Sequence, residues 1–124
     1  MASITFTNSG GITATSFNAT SARDKKENIG KTKVKALELL NTVKVVDFNF
    51  KDDKNKVPKV GFIADDTDSI LATPEHNQMD VTNCIGVLIK ANQELLKEIS
   101  ELKKKNEDLE KRVLTLEQKN LRIT

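Results

Sequence analysis

Ser21 and Lys26 stand five residues apart in the run SARDKKENI (21–29), a spacing from which chemistry could come. A serine hydroxyl is a weak nucleophile until a base removes its proton. Lysine can be that base when burial or cationic neighbours weaken its hold on its own proton. Arg23, Lys25, Lys31 and Lys33 are such neighbours. On residue type and spacing alone, the stretch reads first as a solvated charged surface, with a Ser–Lys dyad as the alternative. Other candidates are thinner. His76, the only histidine, sits between Glu75 and Asn77 and reads as a surface-loop residue. Asp52-Asp53 suits a turn, and Asp65-Asp66 a helix N-terminus, where acidic residues are favoured. The single cysteine, Cys84, lies among Ile85, Val87 and Leu88 and reads as a small buried hydrophobe. One cysteine without a Cys or His cluster makes neither an intrachain disulfide nor a zinc site. No phosphate-cradling, metalloprotease or lipase motif occurs, so neither a cofactor nor a metal is expected.

The elements around this pair divide sharply. Residues 1–21 contain no Lys, Arg, Asp or Glu, so every charged side chain lies beyond them. SITF and ITATSF are β-prone alternations about Gly10-Gly11. Such short strands cannot bury a core alone, and they read as the end of a larger β-rich structure, with a flexible tail as the alternative.

From Asp80 onward there is no proline, and only Gly86 weakens a helix that Asp80 can cap. Heptads follow. Asn92, Ile99, Asn106, Val113 and Asn120 occupy a; Leu95, Leu102, Leu109, Leu116 and Ile123 occupy d. A 3.5-residue repeat specifies a left-handed coiled coil. Glu98 with Lys103, Lys105 with Glu110, and Arg112 with Glu117 form opposite-charge g–e′ pairs, as parallel in-register copies require. β-branched a residues with Leu at d, and Asn at a, lean toward two strands. A leucine-zipper DNA binder would need a basic helix before the coil, and residues 81–89 are uncharged.

Between the ends, residues 22–90 read as a small α+β unit. Thr32 could cap a helix through Asn41, followed by strands at 43–50 and 57–64 around the turn KDDKNK, with Pro58 at a strand start. A short helix from Asp65 to Ala72 and a loop at 73–79 complete it. The expected architecture is α+β: a helix–hairpin–helix domain, then a long helix forming a parallel coiled coil over 91–124. With 124 residues, 4% aromatics and a net charge of +2, the chain supports one domain with an extension and no nucleic-acid partner. No apolar run approaches a membrane span, and no signal-peptide pattern opens the chain.

The run from Ser21 to about Leu116 resembles the C-terminal intramolecular chaperone domain of endosialidases, phage tail spikes, tail fibres and neck appendages, with myelin regulatory factors similar in their self-cleaving segment. The residues that carry the resemblance are Ser21, Lys26 and Ile29, the helix Ala36-Leu37-Glu38-Leu39-Leu40, Phe48-Asn49-Phe50, Gly61-Phe62-Ile63-Ala64, Pro74-Glu75 and the long final helix, in family order. Many members carry Asp where this chain has Ala22, and Trp where it has Phe50. The resemblance implies a homotrimer, and the heptads would join it through Leu95, Ile99, Leu102, Asn106, Leu109, Val113 and Leu116. That trimer would hold an upstream fibre of the same polypeptide in register. It also implies autoproteolysis with Ser21 as nucleophile and Lys26 as base, at the site formed by Thr20, Ser21 and Ala22. A virion precursor assembled in the host cytoplasm follows, its released domain either lost from the mature particle or retained on it. The rival readings are an oligomerisation module that never cuts itself and a factor that self-cleaves to free a DNA-binding part.

Overall fold

The computed structural model describes residues 11–123, in two units that are taken separately. One comprises the residues up to 33 together with 47–60; the other comprises 34–46 and the residues from 61 onward.

In the first unit, residues 11–22 are exposed and carry no strand. The β-prone run about Ile12 and Phe17 therefore does not pair, because an isolated strand has no edge to bond to. The remainder of that expectation, residues 1–10, lies outside the described residues. A 3-10 turn then forms at Arg23–Lys25.

The strands β1 (Val46–Phe48) and β2 (Lys59–Gly61) pair in a two-stranded sheet. Both are shorter than the apolar runs at 43–50 and 57–64. A two-stranded ribbon has two open edges, and Pro58 brings no N–H to the ladder just before β2. Asp53 organises the connection, accepting the amides of Asn55 at 3.0 Å and Val57 at 2.9 Å. Lys56 takes a left-handed conformation there, with φ 49°. Phe48 and Phe50 meet edge to face, with centroids 5.3 Å apart.

The second unit is built on α1 (Ala36–Asn41) and α2 (Val81–Ile123). α1 starts well after Thr32, so the expected cap is wrong. Lys35 precedes the helix in an extended conformation and gives no side-chain cap. The cap comes from α2: the Glu94 carboxylate accepts the Ala36 amide at 3.2 Å and the Leu37 amide at 3.1 Å. Ala36, Leu71, Val87 and Ala91 form the buried core, flanked by Leu37, Leu39, Leu40, Val43, Phe62, Ile70 and Cys84.

The helix expected from Asp65 to Ala72 reduces to a 3-10 turn at Ala64–Asp66. Thr67 and Asp68 divert it: Thr67 Oγ1 donates to the Ile63 carbonyl at 2.7 Å, and Asp68 Oδ1 accepts the Ile70 amide at 2.8 Å. Side chains that bond the local backbone in this way compete with helical bonding. An antiparallel bridge from Ala72 to Met79 closes the 73–79 loop, where His76 has φ 54°.

Asp80 caps α2 as its position suggested, accepting the Asn83 amide at 2.9 Å, and the helix runs through Gly86 unbroken. Two faces of α2 differ. The stripe Cys84, Val87, Ala91 and Glu94, spaced three or four apart, belongs to the side facing α1, and Val87 and Ala91 are only 7% and 4% exposed. The a and d hydrophobes from Leu95 to Leu116 are each 43–60% exposed. Among the described residues, no helix is long and apolar enough to cross a membrane.

Candidate functional site

The 3-10 turn at Arg23–Lys25 decides which side chains meet at the composition boundary. The amide of Lys25 bonds the Ala22 carbonyl at 3.1 Å, and that of Lys26 bonds the Arg23 carbonyl at 3.0 Å. Ala22 before the turn and Lys26 after it are both extended. The chain thus enters straight, reverses through one tight turn and leaves straight. Ser21 and Lys26 flank that reversal, and Lys26 Nζ donates to Ser21 Oγ at 2.7 Å.

A five-residue gap has become direct contact between a hydroxyl and an amine. As an ammonium, Lys26 donates to the hydroxyl. As a neutral amine at the same separation, it could accept the serine's proton instead. Both residues are exposed in the single chain, as are Thr20 and Ala22. Ala22 occupies the cap position of the turn and supplies no side-chain acceptor.

The other sequence candidates have structural work. His76 is half-buried rather than on the surface, with Nδ1 3.3 Å from the Ala64 carbonyl. Cys84 is half-buried, its thiol 3.6 Å from the Leu71 carbonyl. Burial pushes that thiol's pKa up, and the nearby Asp80 charge pushes it further. Among the described residues, no group of His, Cys, Asp or Glu could hold a metal ion. Leu95, Ile99, Leu102, Asn106, Leu109, Val113 and Leu116 all lie on the single helix α2, away from the stripe that faces α1.

Sequence reasoning missed Glu94. It sits at a c position of the heptad, which reads as solvent-facing, and its partners are 57 and 58 residues away. No local signal pointed to it, because Thr32 already offered α1 a cap.

Comparison with known proteins adds one match. Residues 21–76 fit the model of the family described as chaperone of endosialidase, and the match opens at Ser21 itself. No curated protein and no solved structure matches the chain. From the turn that holds Ser21 through the loop that holds His76, the chain is similar to the endosialidase chaperone family, a match that supports a chaperone domain of that type.

Proposed function

We propose that the chain is an intramolecular chaperone that trimerises, registers an upstream β-rich segment of its own polypeptide and then cuts itself free at Ser21. The observation that carries this reading is the 2.7 Å contact between Lys26 Nζ and Ser21 Oγ at the position where the family match begins. The heptads of α2 and their opposite-charge flanks supply the assembly, since they favour parallel, in-register copies.

Threading copies of one chain into a β-fibre needs equal register, because a slip of one residue turns every side chain to the wrong face. A coil that gathers the copies raises their effective concentration and removes much of that search.

In the cut, neutral Lys26 takes the Ser21 Oγ proton while Oγ attacks the Thr20 carbonyl carbon through an unstrained five-membered ring. The tetrahedral adduct expels the Ser21 nitrogen, which takes the proton back from Lys26. Thr20 is then held as an ester on Ser21. Water hydrolyses that ester to a Thr20 carboxylate and restores the serine hydroxyl. Attack by a serine on its own carbonyl would need a four-membered ring, so Ser21–Ala22 is cut only if a serine from a sister chain attacks. In water a lysine amine is almost wholly protonated near neutral pH. Packing between copies that keeps water from this pair and fixes its geometry against the Thr20 carbonyl makes cleavage wait for assembly. Removing the chaperone then makes fibre unfolding effectively irreversible, so the fibre's persistence is set by its unfolding barrier.

Dilution tests this order of events. The cleavage rate should rise steeply across the concentration range in which sedimentation shows the copies associating. A first-order rate that is unchanged between monomer and assembly overturns the gating.

A further inference from the structure

The charge pattern of α2 extends beyond the coil into the α+β core, and this inference rests on the parallel assembly proposed above. In a parallel coil, each g residue faces the e residue five positions on in its neighbour. Glu98, Lys105 and Arg112 then face Lys103, Glu110 and Glu117, opposite charges throughout. Continued toward the N-terminus of the same unbroken helix, the next g positions are Ala91 and Cys84, and the residues that face them are Leu96 and Ile89.

Ala91 is nearly fully buried and Cys84 half-buried in the cluster that includes Leu37, Leu39 and Leu40 of α1. Leu96 and Ile89 are 65% and 56% exposed. An isoleucine and a leucine stacked two turns apart on an open helix face form an apolar strip with nothing over it. Their phase on the helix brings each beside a neighbour's apolar ledge, at the same offset that pairs the charges below.

We infer that Ile89 and Leu96 of each copy dock on the α1–α2 edge of the adjacent copy, beside Ala91 and the half-buried leucines of α1. The core around α1 is then completed by a second copy of this chain, and the junction acts as a register key. A slip of one heptad in one direction sets Lys103 against Ala91 and Glu110 against Glu98. The opposite slip sets Leu96 against Glu98 and Lys103 against Lys105. Of these three offsets, only zero matches apolar with apolar and charge with opposite charge from Cys84 to Glu117.

Sedimentation equilibrium on the full chain tests the docking. Leu96→Gln is compared with Leu114→Gln, the same change at a b position of the same helix that is 55% exposed. Leu96→Gln should weaken association at least about tenfold and Leu114→Gln less than about twofold. In a mixed sample of isotope-labelled and unlabelled copies, the Leu96 methyls should show intermolecular contacts to α1 methyls. Equal effects of the two substitutions on an assembled chain, or the absence of those contacts, overturn this inference alone. A parent chain that stays monomeric overturns it together with the assembly reading.

Discussion

Glu94→Ala tests whether α1 is held by α2 or by its own sequence. The carboxylate accepts two first-turn amides, those of Ala36 and Leu37, at 3.2 and 3.1 Å. Ala36 is 0% exposed with Glu94 in place, so its amide depends on that carboxylate for its partner. Losing a capping side chain costs about 0.5–2 kcal/mol, and leaving a buried donor unpaired costs about 1–3 kcal/mol. Part of each describes the same amide, so the combined loss should be about 2–3 kcal/mol. Glu94→Gln keeps the length and one acceptor oxygen, and should lose about half as much. Glu101, also at a c position, is exposed, and Glu101→Ala should change stability by less than about 0.5 kcal/mol. Urea unfolding followed by far-ultraviolet circular dichroism, at one fixed chain concentration, measures all three. If Glu94→Ala matches Glu101→Ala, the carboxylate is not the cap and the reasoning fails.

Other outcomes follow from the same geometry. Ala22→Asp gives the 3-10 turn the cap it lacks, so the initial cleavage rate should rise about two- to fivefold; an unchanged rate would mean that the turn is already fully formed. Asn106→Ile replaces a polar a residue and should tighten association while letting more than one stoichiometry coexist, which light scattering after size exclusion would detect. A single sharp species of unchanged affinity would contradict a seam role for Asn106. The Cys84 thiol, raised by burial and by Asp80, holds less thiolate at pH 8 than a free peptide thiol. Alkylation should therefore be slower than that of the free peptide; an equal rate would contradict the burial at this site.

Legibility from sequence followed the range of the interactions. α2 was readable because its signals are local: Asp80 bonds an amide three residues on, and a heptad needs only one helix. The Ser21–Lys26 contact was suggested by spacing; the 3-10 turn between them brings the two side chains together, and both stay exposed in the single chain. The start of α1 was misjudged because Thr32 had the right chemistry nearby, whereas the actual cap comes from a distant helix. The strands shrank because β propensity in 43–50 and 57–64 describes what a sheet would accept, and this chain offers each strand one partner. The helix after Asp65 failed because Thr67 and Asp68 bond the backbone around them.

The central claim, that Ser21 cuts the chain with Lys26 as its base, is tested most directly by intact mass against time for the assembled parent beside Ser21→Ala and Lys26→Ala. The account predicts a parent that loses residues 1–20 and exposes Ser21 as a new N-terminus. It predicts no cleavage in Ser21→Ala, and cleavage slowed by about 10²–10⁴-fold in Lys26→Ala. An assembled parent whose mass never changes, or a Lys26→Ala chain that cuts at the parent's rate, would contradict it.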